Sequence, residues 1–203
     1  MKSYNKILLS TCTFGSLRMF IGAISVIYML SNGLNLSGLA FVKILQMLIL
    51  FTFNIPVSKL IDKYDRKKIY LLSIICACLN LFILYYASLI QQNYIFYIAE
   101  IFNAFALLFY GNLYNAYILD EYFFVEKKKD FHNILGKYNK FLYFGIAVFS
   151  GFGALLYFYI KEYLFLLASL CLFLLFIYSL IFLPKQINKK VIQKVIKKER
   201  KWL

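Results

Sequence analysis

The chain has 203 residues, 63% of them hydrophobic, with a mean hydropathy of +0.72. Soluble domains hold about 45–50% apolar residues, so an ordinary water-soluble globule is excluded. A formal charge of +14 would suit nucleic acid, but the cations gather between apolar runs; they read as membrane-orienting charges, and no nucleic-acid partner is expected.

Residues 1–6 are polar, and Ile7 opens the first apolar run. Lys2 and Lys6 before Ile7–Cys12 have the flavour of a secretory leader. The hydrophobic pattern runs on to Leu30, so no such leader is read. A crossing helix needs about 20 mostly apolar residues. Six segments meet that length, at 8–30, 38–58, 69–89, 94–117, 139–160 and 164–183. Turn-forming residues separate them: Ser31-Asn32-Gly33, Asn35 to Gly38, the stretch from Pro56 to Lys68, Gln91-Gln92-Asn93, the connection 118–138, and Lys161-Glu162. One helix over 139–183 would be about 67 Å long, too much for one crossing, so a tight hairpin is expected at Lys161-Glu162. The expected fold class is an all-α membrane protein with a six-helix transmembrane domain over 1–183.

Lysine and arginine set the expected orientation. Lys2 and Lys6, the loop cations Lys59, Lys63, Arg66, Lys67 and Lys68, the set Lys127, Lys128, Lys129, Lys137 and Lys140, and the tail together hold 20 of the 23. The alternate loops hold only Lys161. The positive-inside rule therefore places both termini in the cytoplasm, with an even number of crossings. In the tail, 184–203, Ile187, Val191, Ile192, Val195 and Ile196 recur at helical spacing among lysines. That is the pattern of a basic amphipathic helix on an anionic leaflet; a solvated tail is the competing reading.

Charges inside the spans are costly, and each is a candidate for function. Thr11, Gly15, Arg18, Gly22 and Ser25 share a face of the first span; Lys43, Gln46, Asn54 and Ser58 share one of the second. Glu100, Asn103, Ala104, Leu107, Gly111, Tyr114 and Asn115 share one of the fourth. The third, fifth and sixth spans are nearly uniformly apolar, which suggests an inner set around a cavity and an outer set against lipid. Counted from the span ends, Lys43 and Glu100 lie within about 2 Å of one level and Arg18 some ~9 Å deeper, so Lys43–Glu100 is the easier pair. The substrate path is thus assigned to Arg18, Lys43, Gln46, Asn54, Glu100 and Asn103. A buried ion pair that only fixes packing is the competing reading. Ala147, Gly151 and Ala154 form a small-residue ridge for close helix packing. Tyrosines at span ends read as interfacial anchors.

Cys12, Cys76, Cys78 and Cys171 all lie in apolar runs without metal-site or disulfide spacing, and His132 has no ligand partner nearby. No Gly-rich phosphate loop, HExxH or nucleophile elbow occurs. No catalytic residue, metal or cofactor is assigned, and an enzyme is not expected.

The segment Ser58-Lys-Leu-Ile-Asp62-Lys63-Tyr64-Asp65-Arg66-Lys67 resembles the signature between the second and third helices of the major facilitator superfamily, G-x-x-x-D-R/K-x-G-R-R/K. Asp62, Lys63, Arg66 and Lys67 match, while Ser58 and Asp65 stand where glycines are usual. Gly33-Leu34-Asn35-Leu36-Ser37 looks like the family's first outer loop. Ala99-Glu100 through Gly111-Asn112 to Ala116 and Asp120, with Phe131 to Lys137 after it, looks like the fourth helix and following loop of efflux-type members. The proline-glycine antiporter signature of the fifth helix is not met.

The resemblance implies a 3+3 inverted-repeat half of a carrier whose full form has two six-helix halves around a midplane site. It implies a gating motif of Asp62, Arg66, Lys67 and Asp120, with Asp62 facing a helix terminus of the other half and Arg66 pairing with Asp120. The expectation is a half-size transporter of a small solute in a bacterial cytoplasmic membrane, with efflux the direction that the likeness to efflux-type members implies. It would work by alternating access as a homo-oligomer or with a second half. The alternatives are a truncated remnant and a non-transporting membrane protein for binding or self-protection.

Overall fold

The computed structural model describes residues 3–22, 24–90, 92–125 and 131–184; the side chains of 3–4, 114–116, 118–125 and 131–134 lie outside it. Seven helices follow one another: α1 (Ser3–Met19), α2 (Ser25–Ser31), α3 (Leu36–Lys63), α4 (Arg66–Ile90), α5 (Tyr94–Val125), α6 (Phe131–Ile160) and α7 (Tyr163–Phe182), with no strand among the described residues. Five stretches are long and apolar enough to cross a membrane: α3, α4, Tyr94–Leu113 of α5, Leu135–Ile160 of α6, and α7. The basic tail expected over 184–203 lies outside the described residues beyond Pro184.

The first expected span is interrupted. Between α1 and α2 the backbone tightens into three-residue bonds, Phe20 N to Leu17 O (3.1 Å), Gly22 N to Met19 O (3.1 Å) and Ile24 N to Ile21 O (3.0 Å). Gly22 and the β-branched Ile21 and Ile24 are weak helix formers, and they meet here within four residues. The break puts Arg18 in the last turn of α1, where the helix dipole favours a cation.

The remaining ends have clear causes. Past α2, Gly33 takes φ +93, Leu34 N reaches back to Met29 O (3.1 Å) and Gly33 N to Leu30 O (3.4 Å), a glycine-terminated helix end. Asn35 then caps α3, its side chain accepting from Gly38 N at 2.7 Å. Pro56 does not begin the loop: α3 continues through it to Lys63. At 28 residues α3 is about 42 Å long, so it outruns the hydrocarbon and carries Asp62 and Lys63 beyond it. Asp65 turns the chain by accepting from Lys67 N at 3.0 Å, which caps α4 where the resemblance led to a glycine. The hairpin at Lys161-Glu162 is present, with Lys161 at φ 43.

Packing departs from the expected division into inner and outer spans. α4 packs on α5 and α7 and buries Ser73, Asn80 and nine other side chains, so the third span is a central helix. α3 packs on α5 but exposes Phe41, Ile44, Met47, Leu48, Phe51 and Ile55. Apolarity could not make this distinction, because lipid and a helix bundle interior accept the same side chains. α6 meets α1 through Gly145 and Gly153, where added Cβ atoms would collide with Ser16 Oγ and the Phe20 carbonyl. Gly151, on the expected ridge, has nothing within 4 Å of an added Cβ.

Candidate functional site

A cavity of about 290 Å³ opens beside the α1–α2 break. The break supplies Arg18, Gly22 and Ser25; α3 supplies Lys43 and Gln46; α4 supplies Asn80; α5 supplies Glu100 and Asn103. Four of these join in one chain of contacts. Lys43 Nζ donates to Glu100 Oε1 at 2.9 Å, Asn103 Nδ2 donates to the same oxygen at 3.1 Å, and Arg18 Nη2 donates to Asn103 Oδ1 at 3.0 Å. Asn103 lies one turn from Glu100 on α5 and spans the depth difference between Arg18 and Glu100. Glu100 is buried at 2% exposure while the Lys43 side chain is 42% exposed, so the carboxylate depends on partners that the ammonium does not need.

The structure thus gathers Arg18, Lys43, Gln46, Glu100 and Asn103 at one cavity and leaves Asn54 out of it. Asn54 sits nearer the motif end of α3, exposed, and accepts from Asn112 Nδ2 at 2.9 Å. Helical periodicity places Asn54 on the Lys43 face, but about three turns along α3 carry it away from the cavity. Asn80 is the wall residue that sequence reasoning missed. It is buried, and its Oδ1 meets no donor among the described residues. The available signal was one amide in an otherwise apolar run.

Toward the motif loop the bundle is tied by hydroxyls. Ser10 Oγ lies 2.9 Å from Tyr70 OH and 2.8 Å from Ser179 Oγ, while Tyr110 OH donates to Thr11 O at 3.0 Å and lies 2.7 Å from Tyr138 OH. These contacts join α1 to α4, α5 and α7, and α5 to α6, and satisfy polar groups that neither lipid nor apolar side chains could.

In the loop itself, Asp62 is exposed and has no partner among the described residues. Lys67 reaches across to the end of α7, donating from Nζ to Leu180 O (2.9 Å) and Leu183 O (2.6 Å). A lysine on the free carbonyls of a helix C-terminus is favourable both as a donor and as a charge. Arg66 is buried at the start of α4. The Asp120 side chain lies outside the described residues, but Tyr117, one turn before it, stands 6.4 Å ring to ring from Tyr70, one turn after Arg66. Tyr117 OH also donates to Pro184 O at 2.8 Å.

Among the described residues no three histidine, cysteine, aspartate or glutamate side chains gather as a metal-binding group. The cavity can hold a polar solute against charged and amide side chains. The model of the Major Facilitator Superfamily matches residues 7–203. No curated protein and no solved structure matches the chain.

Proposed function

The chain belongs to the major facilitator superfamily, and from that premise we propose that it is a six-helix half of a secondary carrier for a small solute, working by alternating access. Members of the superfamily are membrane transporters, and the five apolar helices make this a multi-pass membrane protein. The observation that carries the reading is the contact chain Arg18–Asn103–Glu100–Lys43 on the wall of a cavity inside the bundle. Ionisable groups are kept inside hydrocarbon where they line a path.

In this reading α1 and α2 together make the sixth crossing, and both termini face a bacterial cytoplasm. Asp62, Arg66, Lys67 and Asp120 form the gate on that side, with Arg66 and Asp120 paired. The level match of Tyr70 with Tyr117 supports that pairing, since one further turn along each helix brings Arg66 and Asp120 to the same height. The exposed apolar faces of α3 and α6 accept a second six-helix unit, either another copy or a different polypeptide. The α5 stretch that resembles efflux-type members points to export.

Flux into proteoliposomes, measured with small labelled solutes of each charge class, tests the carrier. Glu100→Gln should lower it by about tenfold, equal to about 1.4 kcal/mol in the barrier. Asp62→Asn should trap or uncouple it. Unchanged flux in Glu100→Gln removes Glu100 from the path, and full turnover in Asp62→Asn disposes of the gate. Solute binding without flux in the unaltered protein would favour a binding protein instead.

A further inference from the structure

Two cations and one carboxylate line the cavity, Arg18, Lys43 and Glu100, which leaves one positive charge. Glu100 is engaged by Lys43 and by the Asn103 amide, both on Oε1. Among the described residues, Arg18 hydrogen-bonds the neutral Asn103 carbonyl oxygen and feels Glu100 only through space. No other carboxylate among the described residues lines the cavity. A guanidinium keeps its proton at physiological pH, so the charge is not discharged by losing a proton there. The C-terminal carbonyls of α1 offset part of it but supply no whole countercharge. A cationic solute would meet Arg18 and Lys43 with repulsion that the low dielectric strengthens.

A second, separate observation lies on α4. Asn80 is 6% exposed, lines the same cavity, and its Oδ1 is buried without a donor. Buried amides are ordinarily satisfied, and one left open beside a cavity calls for an explanation. Its oxygen and nitrogen exchange places by rotation of the amide, so the side chain can offer a ligand an acceptor or a donor. A hydroxyl is the group that answers both.

Resting on the carrier reading, we propose that the solute is a small hydroxylated anion. Its anionic group meets Arg18, and its hydroxyl meets Asn80. Lys43 and Glu100 form a charge-neutral pair further along the same contact chain, which holds Asn103 with its carbonyl oxygen toward Arg18 and no carboxylate hydrogen-bonded to that guanidinium.

The test is thermal unfolding of the full chain in mild detergent, followed with a thiol-reactive dye. Cys12 and Cys76 are buried and become reactive on unfolding. The probes are lactate, glycerate, acetate, lactamide and choline, each at millimolar concentration. Lactate and glycerate should raise the midpoint by about 3 °C, acetate by less than half of that, and lactamide and choline by under about 1 °C. Arg18→Gln should abolish the anion shifts and Arg18→Lys should keep part of them. Asn80→Leu should unfold no lower than the unaltered protein yet lose the advantage of lactate over acetate.

Choline or lactamide matching lactate, no anion shifting the midpoint, or an undiminished shift in Arg18→Gln would each overturn the proposal. So would an Asn80→Leu protein that is destabilised but still separates lactate from acetate, because Asn80 would then be structural. If Arg18→Gln does not fold, the ranking of probes on the unaltered protein decides. Flux that persists with the wrong charge ranking removes only the anion assignment. The right ranking without flux removes only the carrier reading.

Discussion

Gly153 and Gly151 are two residues apart on α6, yet only one of them is a contact. A methyl at Gly153 would run into the Phe20 carbonyl, which is backbone and cannot rotate away, whereas one at Gly151 meets open space. Gly153→Ala should therefore cost about 1–3 kcal/mol by overpacking, and Gly151→Ala should be neutral or slightly stabilising. Comparing their unfolding midpoints checks this; equal midpoints would mean that α1 and α6 are not held at backbone distance. At this scale the sequence was unevenly legible. Lys43 and Glu100 could be matched by counting residues from their span ends, since depth in a bilayer is close to linear along a helix. Asn80 could not be found that way, because one amide among apolar neighbours has no periodic partner to reveal which face it shares. Small-residue spacing pointed to a ridge but not to which glycines meet a neighbour.

Helix ends and connections were largely readable, since turn chemistry is local. Asn35, Gly33 and the Lys161-Glu162 hairpin stand where capping and turn preferences put them. Pro56 was misleading, because α3 is long enough to absorb a missing N–H and continue for nearly two turns. The break between α1 and α2 escaped notice because hydropathy over a span is blind to a pair of tight turns inside it. Lys67 shows how an element end depends on a distant one. Replacing it by methionine keeps the apolar stem but removes both bonds to the last carbonyls of α7. Lys67→Met should cost about 1–2 kcal/mol, with partial recovery in Lys67→Arg, read from unfolding midpoints. No loss would show that water serves those carbonyls equally well.

For the molecule as a whole, a membrane-spanning helical bundle followed from hydropathy alone, whereas the position of each helix in it did not. α4 and α3 are comparably apolar, yet α4 is packed on several sides and α3 leaves a broad face uncovered. Only the contacts reveal this. The threading proposed for the chain makes a direct prediction: single cysteines replacing Lys67 and Lys128 should react with an impermeant maleimide from one side of a vesicle, and one replacing Lys161 from the other. Reaction of the first two from opposite sides would refute it. The uncovered faces of α3 and α6 predict more than one polypeptide per particle in mild detergent, measured by mass. A particle of one chain would leave those faces to lipid alone.

The interruption at Phe20–Ile24 has a consequence for how the bundle must be solvated. Hydrocarbon has nothing to offer an amide or carbonyl released from a helix, so a gap of this kind survives only beside something polar. Here the gap and the hollow lie against each other, and each makes the other tolerable. A wet hollow would serve any backbone group that the tight turns leave open, and the broken helix leaves room for the hollow. A substitution that straightened the segment into one rod would close the chamber it borders, and one that plugged the chamber with a large apolar group would strand the peptide groups beside it.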